Sequence, residues 1–173
     1  MQEDAMKKLL TVFILAAAVM AFVFVGCAKE GEKITSGVPE SFDGMVTLVL
    51  DSPATEGADV YFQVPYSDFG EQSTALELLQ KLADDGKIFF EGEDSTYGFF
   101  LNAVGYVDGD EKITLVHNGE NYDPFISIYT SVEKDFGGMP MQYGDVTLET
   151  SAVGIGSMSL ADGAVIFLTE VSA

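Results

Sequence analysis

Arginine is absent from this chain, and cysteine and histidine occur once each, as Cys27 and His117. Without arginine there is no planar fork for bidentate phosphate contacts. With 28 acidic against eight basic residues, the formal charge of −20 repels nucleic acid and anionic membrane surfaces. Nucleic acid is therefore excluded as a partner. A lone cysteine cannot close an intrachain disulfide, so stability has to come from burial. A lone imidazole leaves a Ser, Thr or Cys nucleophile with one base at most, and His117 stands beside Asn118-Gly119, where an imidazole is usually a solvated turn residue. No Gly-x-Ser-x-Gly, His-Glu-x-x-His or phosphate-loop pattern occurs. Asp68-Phe69-Gly70 and Asp135-Phe136-Gly137 spell a kinase tripeptide, but the nucleotide and catalytic loops that give it meaning are missing, so both read as turns. No spacing selects a carboxylate pair for glycoside chemistry. The chain reads as a non-enzyme.

What is present begins with an export signal. Lys7-Lys8 precede an apolar run from Leu9 to Val25, which closes on Gly26-Cys27. A basic start, an apolar core and small residues at the cut define a secretory signal, and a run of about 17 residues sits at the low edge of what spans a bilayer. The arrangement resembles a lipobox, which implies that Cys27 is lipidated and becomes the new N-terminus. Residues 1–26 are then a lipoprotein signal peptide and residues 27–44, polar and Gly-containing, a flexible tether. The expected location is the extracytoplasmic face of a bacterial membrane, reached through the lipid on Cys27. The remainder, residues 45–173, has the size of one domain.

Within it, Met45-Val46-Thr47-Leu48-Val49-Leu50 reads as a strand ending at Asp51-Ser52-Pro53, with Val60 to Val64 as its partner. Leu76, Leu79, Leu82 and Ala83 recur at helical spacing with Leu78 beside them, which predicts a helix over 75–84. Thr74 and Glu77 form a capping-box pattern at its start, and Gly86 supplies the stop. Strands are expected at 88–90, 99–106, 113–116, 125–130, 146–150 and 165–171, with Asn118-Gly119 as a hairpin turn and Gly137-Gly138 as a further break. One helix laid on a mostly antiparallel sheet is an α+β architecture.

The order of these segments resembles the DUF4430 domain family, which is similar to the C-terminal domain of transcobalamin and intrinsic factor. The resemblance is carried by Val46-Thr47-Leu48-Val49, Ser73 to Gln80, Tyr97 to Tyr106, Phe125 to Tyr129 and Ser159 to Phe167. It implies a β-grasp-like mixed sheet with one packed helix. It also implies a module that covers a ligand or partner, a corrinoid such as cobalamin being one candidate.

Aromatic and Met side chains among glycines suit a shallow apolar binding surface. On that ground Tyr122, Phe125, Tyr129, Met139, Met141 and Tyr143 are the expected ligand-binding residues, for a small molecule or a cell-surface protein. The competing reading is a metal-binding lipoprotein. Asp108, Asp110 and Glu111 offer hard oxygens in a turn for a divalent cation, without the twelve-residue EF-hand pattern. Met139 and Met141 offer thioethers for copper, with Tyr143 and His117 as further donors. No particular cofactor follows from these residues.

Overall fold

The computed structural model describes residues 34–51 and 59–172. The expected signal peptide, Cys27 and the start of the expected tether lie outside the described residues. In chain order the elements are β1 (Thr35–Ser36), β2 (Met45–Asp51), β3 (Val60–Pro65), α1 (Ala75–Asp84), β4 (Ile88–Ser95), β5 (Gly98–Asp108), β6 (Glu111–His117), β7 (Phe125–Thr130), β8 (Phe136–Tyr143), β9 (Val146–Ser151) and β10 (Val165–Val171). The architecture is α+β, mostly strand, with one α-helix among the described residues.

Seven strands form one sheet in the order β1-β3-β2-β10-β7-β9-β8, and β4-β5-β6 form a second, three-stranded sheet. All pairs are antiparallel except β2 with β10. These two parallel strands occupy the centre. Val46 to Leu50 and Val165 to Leu168 are buried without interruption, the pattern of strands covered on both faces. Toward one face Leu48, Leu50, Ile166 and Leu168 pack with α1 and with Leu101, Val104 and Val116 of the small sheet. Toward the other, Val49, Val165 and Phe167 pack with Tyr143 and Leu148 and with half-buried Phe42, Tyr61, Tyr129 and Met141.

The helix buries Ala75, Leu78, Leu79 and Leu82, spaced i, i+3, i+4, i+7 as one face requires; Leu76 and Ala83 are only half-buried. Its end follows expectation. Gly86 has φ +72°, its N–H donates to Ala83 O at 3.0 Å, and Lys87 N–H donates to Leu82 O at 3.0 Å, which together make a Schellman cap. Its start does not. Thr74 makes no side-chain capping bond; instead Ala75 N–H donates to Met158 O at 2.8 Å and Leu76 N–H to Ile155 O at 3.1 Å. Backbone carbonyls from a distant loop thus satisfy the first two helical donors, and Glu77 N–H, which the Thr74 hydroxyl was expected to serve, donates to Thr74 O at 3.0 Å instead.

Three further expectations are corrected. Asn118-Gly119 is no hairpin turn: β6 pairs with β5 and β7 with β10 and β9, so the dipeptide opens the crossover between the two sheets. Residues 136–143, expected as Gly-rich loop, form the edge strand β8, where Pro140 is tolerated because an edge position can do without one N–H. The tether expected through residue 44 is already part of the fold from Ile34 onward. Thr35 and Ser36 pair with Tyr61 and Val60, Pro39 is buried, and Phe42 packs on the second core cluster.

Candidate functional site

The crossover from β6 to β7 is clasped by Asn118. Its side-chain amide donates to Leu101 O at 2.8 Å and its Oδ1 accepts from Ile126 N–H at 2.8 Å, so one residue joins β5 of the small sheet to β7 of the large one. Asn118 N–H donates to Asn102 O, and Gly119 N–H to Pro124 O at 2.7 Å, closing the loop at its base. A Cβ on Gly119 would overlap Asp123 O and lie 2.6 Å from Pro124 Cδ, so only glycine fits that close approach.

This clasp decides which aromatic rings face water. Leu101 and Ile126 pack into the main core, and because side chains alternate along a strand, their neighbours Phe100 and Phe125 turn outward, 38% and 39% exposed. Tyr122, at the top of the loop, is 63% exposed and packs edge-on to Phe100 with ring centroids 5.8 Å apart. Asn121 and Tyr122 have φ of 57° and 61°. Asn enters this left-handed region readily, but a bulky Tyr there carries about 1–3 kcal/mol of strain, which the surrounding contacts have to sustain. Strain of this kind concentrates where a side chain is held in one place for use.

Carboxylates rim the face. Glu93 pairs directly across from Phe100, on the same side of the sheet and about 5 Å away at Cβ, while Glu120 and Asp123 are exposed on the loop itself. Between Lys87 and Lys134 the only lysine or arginine is Lys112, the other basic side chain being His117. It sits by the β5/β6 turn, opposite Val107, with its ammonium 5.2 Å from the centre of the Phe89 ring.

The six residues expected to bind ligand do not share one surface. Tyr122 belongs to the face just described, and Phe125 is exposed at the start of β7 beside the clasp. Tyr143 is 4% exposed, with its ring 5.4 Å from Phe167 and 6.2 Å from Phe42. Tyr129 packs edge-on to Phe167, and Met141 lies against the same cluster. Tyr143 is a core side chain, and Tyr129 and Met141 pack half-buried against its cluster. Met139 is 67% exposed but stands apart on edge strand β8.

The metal candidates are likewise separated. Asp108, Asp110 and Glu111 flank the β5/β6 turn, and His117 lies at the other end of β6. His117 Nδ1 is 2.6 Å from Glu170 Oε1, which also accepts from His117 N–H at 2.8 Å. The Tyr143 hydroxyl is used by Gly37 O at 2.7 Å. Among the described residues, no group of three or more His, Cys, Asp or Glu is placed to hold a metal ion.

One polar cluster had no sequence signal beyond two acids eight positions apart, Asp51 and Asp59. Asp59 has its carboxyl pushed up from 3.8 to about 6 by burial, by the charge of Asp51 and by a hydrogen bond with it. Thr169 Oγ1 donates to Asp51 Oδ2 at 2.8 Å. The phenol of Tyr143 is pushed up by burial, then by the charge of Asp59 and by Tyr61. The pair thus sits where β2, β3, β8 and β10 converge. Phe100 was missed because it occupies a strand expected to be core, and only the outward half of an alternating pattern marked it.

The chain matches no known protein-family model and no curated protein.

Proposed function

We propose that this protein is a lipid-tethered binding module on the extracytoplasmic face of a bacterial membrane. Cys27 is its anchor, and its binding face is built on Phe100, Tyr122 and Phe125. The observation that carries the reading is Tyr122 itself: a large aromatic, mostly exposed, held at φ 61° against Phe100. An exposed ring fixed in advance loses little freedom on binding and is a favoured anchor in interfaces. A β-grasp reading of the fold is supported by the central parallel pair β2/β10, the β2/β3 hairpin and the helix that follows it. It agrees with the ligand-covering role implied by the resemblance to the vitamin-carrier domain.

A thermal-shift screen of the full chain in detergent against corrinoids, haem, glycans, metal ions and short peptides tests the reading. A binder is expected whose affinity falls at least tenfold in the double variant Tyr122→Ala/Phe125→Ala and stays within twofold in Asp108→Asn/Asp110→Asn. Loss confined to the aspartate variant would transfer the function to metal binding at the β5/β6 turn.

A further inference from the structure

The chemistry around the binding face selects among partners. Phe100 and Tyr122 offer ring faces and edges, Glu93 stands across the strand pair from Phe100, and Glu120 and Asp123 extend from the loop that carries Tyr122. Neither Ile88 to Glu111 nor Ile113 to Glu133, the segments that build this face, contains a lysine or arginine. We propose that the Phe100–Tyr122 face takes an arginine- or lysine-bearing segment of a partner protein, with the cation against the aromatic rings and the carboxylates around it.

The argument is one of complementarity. A cation is drawn to the electron-rich face of an aromatic ring, and more strongly where carboxylates lie close. The chain has such a contact within itself, Lys112 over Phe89. The formal charge of −20 opposes the other macromolecules that could cover an aromatic patch: a second copy brings the same acidic rim, and nucleic acid or anionic lipid brings like charge. The exposed rings need a covering group whose charge is opposite to their rim, and basic side chains on a polypeptide supply it.

This inference rests on the binding-module reading, and its test separates the two. The probes are a capped heptapeptide alternating glycine and arginine and the same peptide with citrulline replacing arginine. Binding to the full chain in a neutral detergent is followed by calorimetry at low and moderate salt. The arginine peptide is expected to bind and the citrulline peptide to bind at least tenfold more weakly. Tyr122→Ala should weaken the arginine peptide about tenfold, Tyr122→Phe should restore it, and Glu93→Gln should weaken it severalfold. Asp108→Asn/Asp110→Asn, which removes two charges at the far turn, should change it less than twofold.

Equal binding of both peptides, or no binding of the arginine peptide, overturns the cationic partner. The module reading then stands or falls on the ligand screen alone. An arginine-peptide affinity indifferent to Tyr122→Ala but reduced by the far-turn variant also overturns it, because the peptide would then be responding to the overall field. Unchanged thermal midpoints in Tyr122→Ala and Glu93→Gln establish that any loss is not a loss of fold.

Discussion

Tyr143 Oη donates a 2.7 Å hydrogen bond to Gly37 O, and by doing so it joins the two ends of the seven-stranded sheet. Gly37 directly follows β1 at one edge and Tyr143 ends β8 at the other. A Cβ on Gly144 would come within 2.7 Å of Val38 Cγ1, so the contact beside it is equally close. The sheet curls until its edges meet around Val49, Phe167 and Leu148.

Tyr143→Phe keeps the ring and removes only the hydroxyl, so it should destabilise the fold by about 1 kcal/mol. Tyr143→Ala also empties the second core cluster and should cost about 3–5 kcal/mol. Urea titrations of the two variants check this. Equal losses would mean that ring packing contributes nothing beyond the bond.

Asp59 makes stability depend on pH. Its carboxyl binds a proton more tightly in the folded chain than its ordinary value of 3.8 allows, with a folded value of about 6. Its contribution is therefore fully present below about pH 4 and is lost as pH rises to about 6 and beyond. A shift of this size corresponds to about 3 kcal/mol, which solvent screening around a half-exposed group reduces to about 1 kcal/mol. Asp59→Asn should be more stable than the parent at pH 7 and should flatten the difference between pH 4 and pH 7. Asp108→Asn changes the net charge equally and should keep the parent's slope; identical profiles for the two variants would refute the local origin.

Leu79 is fully buried between α1 and the sheet. Leu79→Ala should cost about 2–5 kcal/mol, read as a lower denaturant midpoint. A midpoint unchanged within error would contradict the packing of this helix face.

Asn118→Ala removes both bonds that clasp β5 to β7 and should cost about 1–3 kcal/mol. Amide exchange should quicken at Asn118, Gly119 and Tyr122, whose N–H groups are bonded within the clasped loop and its base. Unchanged protection there would show that the loop holds Tyr122 without Asn118.

Cys27→Ala should move the protein from the membrane to the soluble or secreted fraction. Continued membrane association of this variant would refute the lipid anchor.

Much of the scaffold was legible because its signals are local. The unbroken apolar runs of β2 and β10, the 3.6-residue stripe of α1 and the stop at Gly86 each state one element by themselves. Pairing partners are not local. Asn118-Gly119 has the chemistry of a tight turn, yet which strand follows it is decided by where Ile126 docks. Gly137-Gly138-Met139-Pro140-Met141 has poor strand propensity and becomes β8 because β9 offers it a partner. At the site, Tyr122 and Phe125 were legible as aromatics beside turn residues. Tyr129, Met141 and Tyr143 looked the same in sequence, and only the curl of the sheet turns them inward.

The helix start has a consequence for the order of folding. Its first donors are satisfied by the carbonyls of Ile155 and Met158, some eighty residues later in the chain, and not by its own Thr74. Ten residues are too few to hold a helix in water unaided, so α1 cannot be an early local nucleus. It is completed only when the segment before β10 arrives. The same late step sets β10 between β2 and β7, making the last of the described strands in chain order the one that closes the core and commits the chain to slow, topology-limited folding.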